Sequence, residues 1–213
     1  MVDRRQFLGM LLVPAAFVEA HAATQISLPP AQLQGGIPLM QAFAARRSTR
    51  AFAATPLPLQ VLSNLLWATC GVNRPDSGGR TAPSAHNWQE IEVYLTLAQG
   101  AYRYEAKPHA LALVAAHDLR AQTGLQDFAG TAPVNLVYVA DFARMGAASR
   151  SDREFYATAD CGFASQNVYL YCASEGLATV VRGALDRDAL ARALQLRGDQ
   201  RVILAQTVGY PLR

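Results

Sequence analysis

Apolar positions recur along the chain at two spacings, and the changes between them mark out the elements. Residues 38–45 place Leu39, Met40, Ala42 and Phe43 in an amphipathic helical run. A second helical repeat covers 57–68, with Gly71 as its expected stop. From Val72 to His86 the pattern dissolves into Asn, Pro, Asp, Ser and Gly, which reads as a long loop. A loop of that length in a compact domain usually carries function. Alternation with period two returns over 91–97, and 100–104 reads as its hairpin partner. Residues 111–115 fit a strand or a short helix, whereas 133–140, apolar and β-branched with Asp141 at its end, reads as a central strand.

The most apolar stretch is 153–177. Phe155, Ala159, Phe163, Asn167, Leu170 and Ala173 mark one helical side, while Cys161, Ala164, Val168, Tyr171 and Cys172 populate the others. A helix apolar most of the way round is expected to be buried on most sides, as the central helix of the core or of a dimer interface. Gly162 and Ala164 would admit a second backbone, and Gly176 is the expected stop. A short strand over 178–181, a helix over 186–196 with Asp186 as its N-cap and Leu190, Ala193 and Leu194 facing inward, and a last strand over 201–208 complete the chain. This mixed order suits an α+β fold better than a βαβ repeat.

With 213 residues, 51% hydrophobic and only 16% charged, the chain can bury a substantial core as one domain. The net charge is +3, Lys107 is the single lysine, and no basic stripe interleaved with aromatics appears, which argues against a nucleic-acid binder. Arg4 and Arg5 precede a short apolar run ending near Val18, followed by the small-residue pattern of Ala20, His21 and Ala22. This resembles a twin-arginine export signal, giving a cleaved leader over 1–23, a periplasmic destination and no permanent membrane anchor. Residues 24–37, rich in Gln, Pro and Gly, are expected to form an extended arm before a domain over 38–213.

Cys161 and Cys172 lie about three turns apart on the expected helix, too far for a bridge, so they and Cys70 are read as small buried apolar residues. The histidines show no metal-ligand spacing; His86 lies in the loop, and His109 and His117 flank the 111–115 segment. Ser84 lacks a GxSxG turn, and no GxGxxG follows a strand. Arg46, Arg47 and Arg50 crowd together with Ser48 and Thr49 after the first helix. Taken alone, that cluster fits either a solvated basic helix end or a seat for a phosphate.

The order of four motifs, RRSTR at 46–50, PSAHNWQ at 83–89, EGLATVVRG at 175–183 and VGYP at 208–211, resembles the nitroreductase family of flavoproteins over the chain from about Pro38 onward. RTAPSA at 80–85 is similar to the branch containing peptide-azoline oxidases. The resemblance implies a central, mostly antiparallel sheet flanked by helices, with a long buried central helix. It also implies an FMN cofactor held by a homodimer. Arg46, Arg47, Ser48 and Arg50 match positions that hold its ribityl chain and phosphate, with Arg213 as a last basic contact. Pro83, Ser84, Ala85 and Asn87, with Gln89 beside them, match a loop that reaches the flavin from the other subunit. Val181, Arg182 and Gly183 match a turn whose backbone amide points at the hydride-accepting ring nitrogen, with the Arg182 charge beside the reduced ring.

Trp88 and Tyr156 are candidate walls of a substrate pocket or, equally, aromatic filler. No side chain is expected to act as a general acid or base, because the flavin carries the redox chemistry. The implied activity is FMN-dependent hydride transfer between a reduced donor and a small organic acceptor such as a nitroaromatic or quinone. An exported enzyme would meet a membrane quinol or a redox protein rather than nicotinamide. Two other roles remain open: an exported flavin-binding protein without turnover, and a dehydrogenase of peptide heterocycles.

Overall fold

The computed structural model describes residues 25–212, so the expected leader and Arg213 lie outside the described residues. Nine strands and five α-helices follow in order: β1 (Gln25–Ser27), α1 (Leu39–Ala45), α2 (Leu59–Cys70), β2 (Val72–Arg74), β3 (Gly79–Arg80), β4 (Ile91–Leu97), β5 (Gly100–Glu105), β6 (Ala110–Ala115), α3 (Phe128–Thr131), β7 (Val134–Asp141), α4 (Arg150–Ser174), β8 (Ala178–Arg182), α5 (Arg187–Ala193) and β9 (Gln200–Gly209). Seven strands form one sheet in the order β1-β6-β5-β4-β7-β9-β8, and every neighbouring pair is antiparallel.

The strand period of two divides the core. Along β7, Val134, Leu136, Tyr138 and Ala140 pack with α2 and the inner side of α4. Val137 and Val139 point the other way, onto Leu190 and Leu194 around α5. Both faces of the central strands are therefore covered, and β4 and β7 are buried along their whole length, although β4 alternates in sequence.

Helix α4 starts where the Ser149 side chain accepts from the Asp152 amide. It ends at Gly176, whose φ of +68° lets the Leu177 amide return to the Cys172 carbonyl. Its core-facing residues are Ala157, Cys161, Ala164, Val168 and Cys172. Its other side is uncovered within the protomer, where Phe155 is 67% and Phe163 48% exposed and a Cβ on Gly162 would meet nothing within 4 Å, so the core alone does not bury it on most sides. Helix α1 is likewise uncovered outward, with Leu39, Met40 and Phe43 exposed and only Ala42 buried.

Two further expectations change, and one left open is decided. The 24–37 arm contributes an edge strand, since Gln25–Ser27 pairs with β6 and Leu28 enters the core. The same segment is laced down by Gln32 N–H to Asn64 Oδ1 and by Ile37 N–H to Ser174 Oγ. The 72–86 loop contains the β2–β3 hairpin, which glycines and prolines in its sequence disguise. Residues 111–115 belong to a strand rather than a helix. The cysteines are free and buried, as expected, and burial raises the thiol pKa of each, to about 11 for Cys70.

Candidate functional site

The arginine cluster follows α1 directly. The Arg46 amide closes the helix on the Ala42 carbonyl, and the chain then turns extended. Thr49 N–H donates to the Thr179 carbonyl at 2.9 Å, which lays the cluster alongside β8. Tyr169 of α4 completes the attachment: its hydroxyl lies 2.8 Å from Ser48 Oγ and accepts from Val181 N–H at 3.0 Å. The Arg46 guanidinium stands 5.4 Å from the centre of the Tyr169 ring, within cation–π range. Arg47, Thr49, Tyr169, Thr179 and Pro211 line a cavity of about 250 Å³. Among the described residues none of Arg46, Arg47 and Arg50 is paired with a carboxylate. A concentration of fixed positive charge without a protein anion is the chemistry a phosphate-bearing cofactor requires, so these residues fit FMN.

The second loop sits elsewhere on α4. Ser84 Oγ donates to Glu90 Oε2 and accepts from Gln89 N–H, and Ala85 N–H donates to Asp160 Oδ2. Gln89 reaches Gly78 O and Asn87 Oδ1 through its side-chain amide, while its carbonyl accepts from Arg144. His86, Asn87 and Gln89 have φ near +50°, so three non-glycine residues in four are held in the left-handed region. Pro83 is exposed at the entry to this turn. His86, Trp88 and Tyr156 form an aromatic group, with Trp88 5.7 Å from Tyr156 and 4.5 Å from His86. Trp88 also lines a cleft of about 620 Å³; Tyr156 does not.

From Asp160 to Tyr169 the helix advances about 14 Å and turns two and a half times, so the two loops attach on opposite sides of α4. Within one protomer they are separate and line different cavities.

Arg182 is placed differently from the expectation of a charge beside the flavin ring. Val181 and Arg182 are the last residues of β8 rather than parts of a turn, and only Gly183, which is exposed, lies beyond the strand. The Arg182 guanidinium donates to Thr123 O, Thr123 Oγ1, Asn135 Oδ1 and Thr207 Oγ1 and is buried. Burial lowers its pKa to about 10. Its role is to lock β8, β9 and β7 to the turn at Thr123.

Tyr169, Glu90 and Asp160 do not stand out in the sequence. Tyr169 finds its partners 121 and 12 positions away, and the two carboxylates meet across 70 positions, so no local pattern announces them. Among the described residues no group of three His, Cys, Asp or Glu side chains could hold a metal, and no helix is long and apolar enough to cross a membrane.

The antiparallel α+β fold carries an arginine cluster without a carboxylate partner among the described residues and a separate strained loop. The sequence pattern of the Nitroreductase family matches residues 43–210. The chain is 31% identical over 172 residues to a protein of Methanocaldococcus jannaschii described as a nitroreductase, covering 76% of this chain and 86% of that one. A crystal structure from Ralstonia eutropha, also described as a nitroreductase, superposes with a TM-score of 0.86 at 46% identity, over 97% of each chain. The NADPH:FMN oxidoreductase of Vibrio harveyi shares the fold, with a TM-score of 0.62 at 20% identity over 82% of this chain and 69% of that one. The chain belongs to the Nitroreductase family and is a nitroreductase-type oxidoreductase.

Proposed function

We propose that the protein is an FMN-dependent oxidoreductase that moves hydride between a reduced donor and a small organic acceptor such as a nitroaromatic or quinone. The observation that carries this reading is the set of Arg46, Arg47 and Arg50, held against β8 by Thr49 and Tyr169 with no carboxylate partner among the described residues. Bound there, the flavin supplies the hydride chemistry. The guanidiniums of Arg46, Arg47 and Arg50 would hold its phosphate, each charge-assisted hydrogen bond contributing roughly 1.5–3 kcal/mol. Ser48 orients the chain leading to the ring. Trp88, with Tyr156 packed edge-on against it, offers an apolar wall to an aromatic acceptor.

The protein works as a homodimer in this reading, because each protomer carries the arginine seat and the 84–89 loop on opposite sides of α4. An isologous pairing through the uncovered helix faces brings one protomer's loop to its partner's seat. We further place the chain nearest the peptide-azoline oxidase branch, on the RTAPSA motif, and assign the periplasm as its compartment, on the twin-arginine pattern of Arg4 and Arg5. A protein exported folded keeps a cofactor loaded in the cytoplasm, and its electron donor is then a quinol or redox protein.

Anaerobic reduction with dithionite, followed by addition of a nitroaromatic, a quinone or oxygen, tests the activity. Bleaching of the flavin absorption and its return with at least one acceptor is expected. Failure to return with every acceptor contradicts turnover and leaves a flavin-binding protein.

A further inference from the structure

The loop at 84–89 rests on two buried carboxylates that no redox role uses. Glu90, the residue just before β4, is fully buried, and Asp160 of α4 is 4% exposed. They hold adjacent residues of one turn, Ser84 Oγ donating to Glu90 Oε2 at 3.1 Å and Ala85 N–H to Asp160 Oδ2 at 2.9 Å, which brings the two carboxyls side by side. Two carboxylates can share such a contact only when one of them holds a proton, since two adjacent charges in a dry interior repel and are poorly solvated. The surrounding bonds differ. Asp160 accepts from Ala85 N–H, whereas Glu90 accepts from Ser84 Oγ and its Oε1 has no partner among the described residues.

The charges around the pair do not neutralise it. From α4 the titratable neighbour of Glu90 is the buried Cys161 thiol. Arg80 of β3 and Cys70 of α2 line a cavity of about 20 Å³ beside Asp160, but Arg80 makes no ion pair and its Nε is without a partner. Arg144, which grips the Gln89 carbonyl, is taken by Glu92 and Asp141, and Arg197 is also engaged by Asp141.

We propose that Glu90 and Asp160 form a proton-loaded latch: while one proton is shared between them the 84–89 loop stays seated on α4, and loss of that proton releases it. The latch has something to hold, because His86, Asn87 and Gln89 are kept in left-handed backbone that these side chains do not favour. Each carboxylate grips one of the two residues that begin the turn, Ser84 and Ala85. Burial, reinforced by Asp160, raises the Glu90 carboxyl from 4.5 to about 7, which puts the release near neutral pH. Since the loop is the flavin-facing element of the proposed function, the consequence for the cofactor rests on that reading; the latch itself does not.

Hydrogen exchange of the 84–89 amides, followed by mass spectrometry on the purified protein from pH 5.5 to 8.5 and corrected for the intrinsic pH dependence, tests the latch. Protection in the native sequence is expected to fall about tenfold or more, with its midpoint near pH 7. Glu90→Gln, whose amide donates to Asp160 at every pH, is expected to keep the loop protected throughout. Asp160→Asn, which removes the second charge, should also flatten the profile. A flat profile in the native protein overturns the latch whatever the variants do, and so does a parallel fall in a folded Glu90→Gln protein. Flavin content measured on the same samples separates the two readings: a pH-dependent loop in a protein that holds no flavin supports the latch and contradicts the proposed function.

Discussion

The hydroxyl of Tyr169 lies 2.8 Å from Ser48 Oγ and so ties the arginine cluster to the central helix. The same oxygen accepts from Val181 N–H, which makes one side chain the joint between the cluster, α4 and β8. Position in the sequence puts the arginines after α1, but this joint sets where they stand.

Tyr169→Phe keeps the ring under Arg46 and removes only the hydroxyl. Val181 N–H and Ser48 Oγ then lose their shared partner, at about 1–2 kcal/mol. A fall in Tm of roughly 2–6 °C is expected by calorimetry. Flavin binding should weaken in parallel, as read by equilibrium titration with FMN.

Arg182→Leu should be far more damaging to stability than any substitution in the arginine cluster. It strands Thr123 O in the interior and leaves Asn135 Oδ1 and Thr207 Oγ1 with only their bond to each other, and costs roughly 3 kcal/mol or more. Arg182→Lys should recover only part of this, because an ammonium cannot reproduce the fork. Urea unfolding midpoints are the measurement.

Gly162 sits on α4 with open space where a side chain would point. Gly162→Leu should therefore leave the protomer folded, and the loss of a helical glycine favours the helix by up to about 1 kcal/mol. If paired helices meet at this face, the same substitution should convert the dimer to monomers in sedimentation velocity. A stable dimer would place the contact elsewhere.

Stability against pH carries the mark of Glu90. Its folded pKa, about 7, lies above the value of 4.5 for an unburied carboxyl. The folded state thus holds the proton that the unfolded state releases, so this contribution is fully present below about pH 4.5 and is lost as pH rises to about 7. The loss amounts to about 3 kcal/mol. It should appear as the difference between the native protein and Glu90→Gln in denaturant unfolding at pH 4.5 and pH 8.

Much of the fold is legible in the sequence because its elements carry their own periodicity. The β4 and β7 runs, the Asp186 cap accepting from Ala189 N–H and the Gly176 stop are local features that the structure repeats. The hairpin at 72–80 escapes because its two strands are too short to alternate. The uncovered sides of α1 and α4 escape for another reason: Phe43, Phe155 and Phe163 are apolar enough to look like core, and composition cannot distinguish a core from a face that meets a partner. Arg182 shows the limit for site residues. Adjacency to a recognisable glycine places the residue, but the strand's alternation decides which side of the sheet receives its side chain, and Thr123, Asn135 and Thr207 receive it here.

Flavin content of the purified native protein and of the double variant Arg46→Ala, Arg50→Ala, read from the visible spectrum and from the cofactor released on denaturation, puts the arginine seat to the hardest test. A yellow native protein that releases FMN, beside a folded but colourless double variant, is the predicted result. A double variant that retains FMN in equal amount, or a native protein that binds none when FMN is supplied, would contradict it.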